Sequence, residues 1–295
     1  MLRRIGPFTF FKRVLAQIIE DDVFTLGAAL AYSWLFALFP FLVFLLSLVP
    51  LLPEHFKPDV EQSVREMFSG KLTDKQVDSV TTEVTHLMRR TSGKGLLSTS
   101  LLIAVWAASA GMARTMYALD KAYDIEKGRR FYSRRLLAVG LTLVVATLIV
   151  LVLILLPVGT AVLKWLLKQE GMIPGMYIVV NIGRYFLSLL LMFAVLAVIY
   201  HFGPSARQRF AAFSPGAIFC VTVWVLLGWA FRKYLVEFGG AENYARTYGA
   251  VAGAAILLLF FYVDALVLLI GAEINSEIDF AVHGTRTAPA GSKSK

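Results

Sequence analysis

Charged residues fall in blocks along this chain, and long stretches with few or none lie between them. The first such stretch, GAALAYSWLFALFPFLVFLLSLVP at 27–50, runs 24 residues without a charge and stays apolar to Leu52. A hydrocarbon layer about 30 Å thick is crossed by roughly 20 residues of α-helix, so this segment spans it with some tilt. A cleavable leader fits poorly, because leaders carry an apolar run of roughly 7–15 residues followed by a small-residue cleavage site. Five more segments follow at 96–118, 136–163, 177–202, 211–231 and 247–272. Segments of this length, without short alternating strands, predict an all-α polytopic bundle of six transmembrane helices over 27–276, the first being 27–52, and exclude a membrane β-barrel.

The polar intervals carry their own periodicity. In 1–26, FTFFKRVLAQII sets Phe8, Phe11, Leu15, Ile18 and Ile19 at helical spacing with basic residues between them, which predicts an interfacial amphipathic helix. Asp21 or Asp22 then stands ready to cap the first crossing. The connection at 53–95 holds two further amphipathic patterns. Val60, Val64, Met67 and Phe68 share one face, and Val77, Val80, Val84 and Leu87 follow the capping pair Thr73 and Gln76. Such helices either cover the mouth of the bundle or lie on the membrane surface. The end of the chain, 277–295, is small and polar and reads as a disordered tail.

Composition agrees with a membrane domain. The chain of 295 residues is 58% hydrophobic and 17% charged, against about 45–50% and about 25% in ordinary globular domains. Cys220 is the only cysteine, which excludes an intrachain disulfide and a cysteine metal site. A net charge of +9 suggests nucleic acid in a soluble protein, but here its distribution over the loops explains it. With the N-terminus on one side, the connections of that side carry 15 Lys and Arg and the opposite short connections carry 5, while the long 53–95 loop balances 7 basic with 7 acidic residues. Both termini are therefore expected in the cytoplasm.

Four stretches together resemble the YihY/BrkB family of bacterial inner-membrane proteins. They are DDVFTLGAALAYSWLFALFPFLVFLLSLV, with its Ala-Tyr and Leu-Phe-Pro, VWAASAGMARTMYALDKAYDIEKGRRFYSRR, YHFGPSARQRFAAFSPGAIFCVTVWVLLGWAFRKYL and YARTYGAVAGAAILLLFFYVDALVLLIGAEINSEI. The resemblance extends from about residue 20 to 280. It implies the bundle and the bacterial inner membrane. Members have carried the label ribonuclease BN, and others are linked to serum resistance or suspected of transporting lipid or lipopolysaccharide precursors. No catalytic residues carry over from it.

The residues that cost energy in a bilayer come from the chain itself. Asp264 lies near the middle of the sixth crossing, where a charge costs roughly 2.5–3.5 kcal/mol on insertion scales. At 100° per residue it shares a face with Gly249, Gly253, Phe260, Gly271 and Asn275, and GAVAG has the spacing that lets helices approach closely. Asp264 is either a proton, cation or solute site, or a carboxyl that hydrogen-bonds a Tyr, Trp or Arg on a neighbouring helix. Arg114 and Arg184 sit inside the second and fourth crossings, where each either snorkels to the headgroups or pairs with Asp264. The five small residues at 107–111 mark the second crossing for the bundle centre. Pro40 interrupts the first crossing, as a kink and hinge candidate or as an ordinary bend in a static bundle. Lys127, Arg129, Arg130, Arg134 and Arg135 form the densest basic cluster. Topology and contact with anionic lipid explain it most simply, ahead of capture of a phosphate-rich substrate and of RNA.

No enzymatic constellation is present. His55, His86, His201 and His283 are scattered, without HExxH, GxSxG or a Walker A loop. Asp120, Asp124 and Glu126 beside a basic connection do not make a nuclease metal site. No cofactor is expected, and the bilayer with its anionic lipids is the expected partner, not nucleic acid. The resulting expectation is a transporter or flippase-like handler of an amphipathic or lipid-like solute, with an envelope assembly protein as the alternative and a tRNA-processing ribonuclease behind both.

Overall fold

The computed structural model describes residues 6–48, 78, 82, 96–125, 128–167, 174–205, 211–237 and 250–283. Seven long helices and no strand occur among the described residues: α1 Pro7–Glu20, α2 Val23–Leu48, α3 Leu96–Ala122, α4 Phe131–Leu167, α5 Pro174–Phe202, α6 Pro215–Glu237 and α7 Ala250–His283. Five of them are long and apolar enough to cross a membrane: α2, α3, α4, α5 and α7. The apolar part of α6, Pro215–Ala230, is shorter.

Two boundaries differ from the sequence reading. Helix α4 starts at Phe131, inside the basic cluster. Helix α7 continues to His283, seven residues into the stretch read as tail. The helix runs on there through Glu277, which is buried. In the 53–95 loop only Asp78 and Thr82 are described, both helical and exposed, so its two amphipathic helices lie outside the described residues.

The chain divides into two compact units, Met1–Leu35 with Gly111–Lys295, and Phe36–Ala110. The second unit contains the later half of α2 and the earlier half of α3. Helix α2 continues to Leu48 past Pro40, although proline brings no amide to bond the preceding turn.

Within the first unit, α4 packs on α5, α6 on α7, α5 on α6, and α1 on α7. The last turns of α3 are enclosed: Met116, Ala118, Leu119 and Ala122 are all buried. A turn of only two residues, Asp21 and Asp22, joins α1 to α2. Asp22 takes a left-handed φ of 50°, which a short polar side chain tolerates, and its carbonyl accepts from Leu26 N–H at 3.0 Å. Trp34 Nε1 donates to Thr115 Oγ1 at 3.0 Å, tying α2 to α3.

Candidate functional site

The most elaborate polar arrangement lies where α3, α4 and α5 meet at one end of the bundle. Helix α3 closes with a Schellman-type turn, in which Ile125 N–H donates to Asp120 O and Asp124 N–H to Lys121 O, both at 2.8 Å. Asp124 occupies the left-handed position usually held by glycine, with φ 52°. Its carboxylate accepts long hydrogen bonds from Gln17 Nε2 of α1, at 3.4 and 3.5 Å. The same turn aims the Asp120 side chain at the end of α5. There Ser205 N–H donates to Asp120 Oδ1 at 2.6 Å and Ser205 Oγ donates to Oδ2 at 3.0 Å.

Arg129 completes the knot. Its backbone N–H donates to Ser205 Oγ at 3.1 Å, and its guanidinium donates to the carbonyls of Gly203 and Pro204 at 2.8 and 2.9 Å. Arg134 Nη2 donates to Arg129 O at 3.2 Å. A glycine is required at 128, since a Cβ there would stand 2.6 Å from Asp120 Oδ2. Burial pulls the Arg129 guanidinium below its ordinary range, Asp120 opposes that shift, and Arg134 adds to it. Hydrogen bonds to charged groups are worth about 1.5–3 kcal/mol each against loss of the partner, but desolvation offsets part of the gain. The arrangement is suited to holding helix ends together. Two arginines of the basic cluster are thus engaged internally, whereas Arg130 is exposed and Lys127 lies outside the described residues.

A second seam joins α5, α6 and α7. Tyr200 Oη donates to Leu268 O at 2.8 Å and lies 3.0 Å from Cys220 Sγ, which itself donates to Val267 O at 3.1 Å. Gly216 N–H donates to Asn275 Oδ1 at 2.8 Å, and Asn275 Nδ2 donates to Ser214 Oγ at 3.0 Å. Gly216 and Gly271 face each other so closely that a Cβ on Gly216 would strike Gly271 O, and one on Gly271 would strike Cys220 Sγ and Tyr200 Oη. The close approach expected at Gly253 is absent: a Cβ there would meet nothing within 4 Å. The glycine that complements α7 lies on α6, so the contact forms at Gly271. Gly249 is outside the described residues. A cavity of about 210 Å³ opens beside this seam, lined by Tyr200, His201, Ser214, Asn275 and Asp279 among others.

Asp264 stands apart from both systems. It lies near the middle of α7, partly buried, and has no hydrogen-bond or ion-pair partner among the described residues. The pairing with Arg114 or Arg184 is therefore not formed. Arg114 is exposed on α3. Arg184 donates to Asn181 Oδ1 at 2.9 Å and lies 4.8 Å from the centre of the Tyr185 ring, both on its own helix. The register of α6 on α7, with Gly216 opposite Gly271 and Asn275 and Cys220 opposite Val267, carries Trp224 to the level of Asp264. On the other flank of α7, against α2, an apolar groove of about 540 Å³ is lined by Ala28, Ala31, Tyr32, Ala255, Leu258, Leu259 and Tyr262. Among the described residues no group of three or more His, Cys, Asp and Glu is placed to hold a metal ion.

Comparison with known proteins decides the family. The model of the virulence factor BrkB family matches residues 14–294. The chain belongs to this family. Its resemblance to BrkB proteins, drawn from the four stretches above, thus extends over nearly the whole length. A BrkB-family chain is similar to the ribonuclease-like protein YfkH of Bacillus subtilis, with 30% identity over 269 residues, 91% of this chain and 94% of that protein. It is also similar to a UPF0761 membrane protein of Vibrio campbellii, 25% identical over 287 residues, 94% of this chain and 84% of that protein. A UPF0761 membrane protein of Xanthomonas campestris is 23% identical over 300 residues, covering 93% of this chain but 62% of that longer protein. No solved structure matches. The BrkB-family helices described above are those of a multi-pass membrane protein.

The sequence located Asp264 but missed Asp120, Ser205, Tyr200 and Cys220 as a set. It also gave no role to Glu273, which is completely buried in α7. The only local signal for the first knot is the pair of small, turn-forming segments Gly128 and Gly203-Pro204-Ser205, in connections that mutually approach only after folding.

Proposed function

We propose that this chain is a six-crossing protein of the bacterial inner membrane, with both termini cytoplasmic, that moves or handles an amphipathic or lipid-like solute. The observation that carries this reading is Asp264. An acid near the middle of an apolar helix costs free energy, and a partner among the described side chains does not offset that cost. The residue is explained by something that arrives: a proton, a cation or the polar group of a solute. The knot at Asp120 and the seam at Gly271 supply a rigid frame around it. Pro40, close to the border between the two compact units, is the hinge of this proposal. Lys127, Arg130 and Arg135 hold anionic lipid at the cytoplasmic boundary. Arg129 and Arg134 shape that surface from behind.

Translocation of labelled phospholipid and lipopolysaccharide precursor in proteoliposomes tests the reading, with purified wild type, Asp264→Asn and empty vesicles compared. Movement that requires the wild-type protein and falls in a folded Asp264→Asn variant supports it. No movement above empty vesicles overturns transport of these lipids and favours envelope assembly. A nuclease would instead cleave RNA with added metal and depend on the acids of the cytoplasmic connections.

A further inference from the structure

Helix α1 has two apolar stripes, and the protein uses one. At 100° per residue its side chains fall into three stripes, each roughly 80–100° wide. Val14, Gln17 and Ile18 form the first, with exposures of 6%, 6% and 7%. Val14 and Ile18 belong to one buried cluster with Ala118 of α3 and Ala265 and Leu269 of α7. Thr9, Lys12, Arg13, Ala16 and Glu20 form the second, all exposed. The third is Phe8, Phe11, Leu15 and Ile19, whose exposures are 81%, 61%, 44% and 75%.

Charge and connectivity identify what covers the third stripe. The two-residue turn at Asp21 and Asp22 leads directly into Val23, the start of the first crossing, so the C-terminal end of α1 is tethered at the membrane boundary. The stripe is bordered by Lys12, about 20° beyond Ile19, while Arg13 lies on the far edge of the second stripe. The Gln17–Asp124 contact places α1 beside the α3–α4 connection, which ends in exposed Arg130, Phe131 and Tyr132. Aromatic and basic residues together are the composition of a headgroup layer contact. We infer that α1 is a surface anchor, seating Phe8, Phe11, Leu15 and Ile19 at the headgroup–acyl boundary of an anionic leaflet with Lys12 on lipid phosphates. The inference is independent of any transported solute.

The test uses the full chain in vesicles of phosphatidylcholine with and without phosphatidylglycerol. Leu15→Cys and Ala16→Cys each receive an environment-sensitive fluorophore, and the unsubstituted protein is the blank because Cys220 is buried. The Leu15 label is expected to be shielded several-fold from aqueous iodide and quenched by brominated lipid, while the Ala16 label remains open to iodide. In phosphatidylglycerol vesicles, Lys12→Gln should weaken seating of the Leu15 label several-fold. Equal iodide quenching at both positions overturns the anchor. Oxidative cross-linking of unlabelled Leu15→Cys into dimers assigns the stripe to a second copy and also overturns it. An unchanged Leu15 signal in Lys12→Gln overturns the role of anionic lipid.

Discussion

Asp120 and Asp264 are both acids in apolar helices, yet their surroundings are opposite. Asp120 has both carboxylate oxygens bonded to Ser205, with Arg129 bridging from Ser205 to the neighbouring carbonyls. Asp264 has no such partner among the described residues. A buried charge that is paired fixes geometry, and removing one partner exposes the full desolvation cost of the other. A charge left without a partner contributes little to the fold, so its presence points to the ligand it meets. The two carboxylates separate what this protein needs in order to stand from what it needs in order to act.

The comparison can be broken by substitution, most forcefully at Asp120. Asp120→Ala should lower stability by about 3–5 kcal/mol, because Arg129 and Ser205 lose their anchor; thermal unfolding in detergent micelles measures it, and an unchanged midpoint would remove the distinction. Gly216→Ala, which drives a methyl against Gly271 O, should cost about 1–3 kcal/mol by overpacking in the same assay. This control disturbs apolar packing without touching either acid. Ser205→Ala keeps the backbone donor to Asp120 and removes the hydroxyl, for a loss of about 1–2 kcal/mol. Asp264→Asn should leave the midpoint within about 0.5 kcal/mol while lipid movement in proteoliposomes falls at least tenfold. If instead it unfolds the protein, Asp264 belongs with Asp120 as a structural acid.

The same contrast explains what could be read from the sequence. Asp264 was visible because its oddity is local: one acid in LLLFFYVDALVLLIG needs no knowledge of the fold. The crossings were visible for the same reason, through the length of their apolar runs. Asp120 was not, because its partner Ser205 is 85 positions away and neither residue is unusual in its own connection. Gly253 and Gly271 are equally small and share a face, yet only Gly271 meets a second glycine across the α6–α7 contact. In α1 the spacing showed an apolar face but not its division, which sends Ile18 into the protein and leaves Ile19 outside. The stretch from 277 reads as a tail because it is small and polar, yet α7 runs through it to His283 with Glu277 buried.

The 85-residue separation of Asp120 and Ser205 also has a consequence in time. A ribosome adding roughly 5–20 residues per second reaches Ser205 on the order of ten seconds after Asp120. Throughout that interval the carboxylate lacks both of its Ser205 donors, so the knot at the end of α3 stays open. Helix α4 must be synthesised and α5 delivered before the knot can close. The end of α3 is therefore left unfinished as it is made, and the step that completes it belongs to a segment translated later.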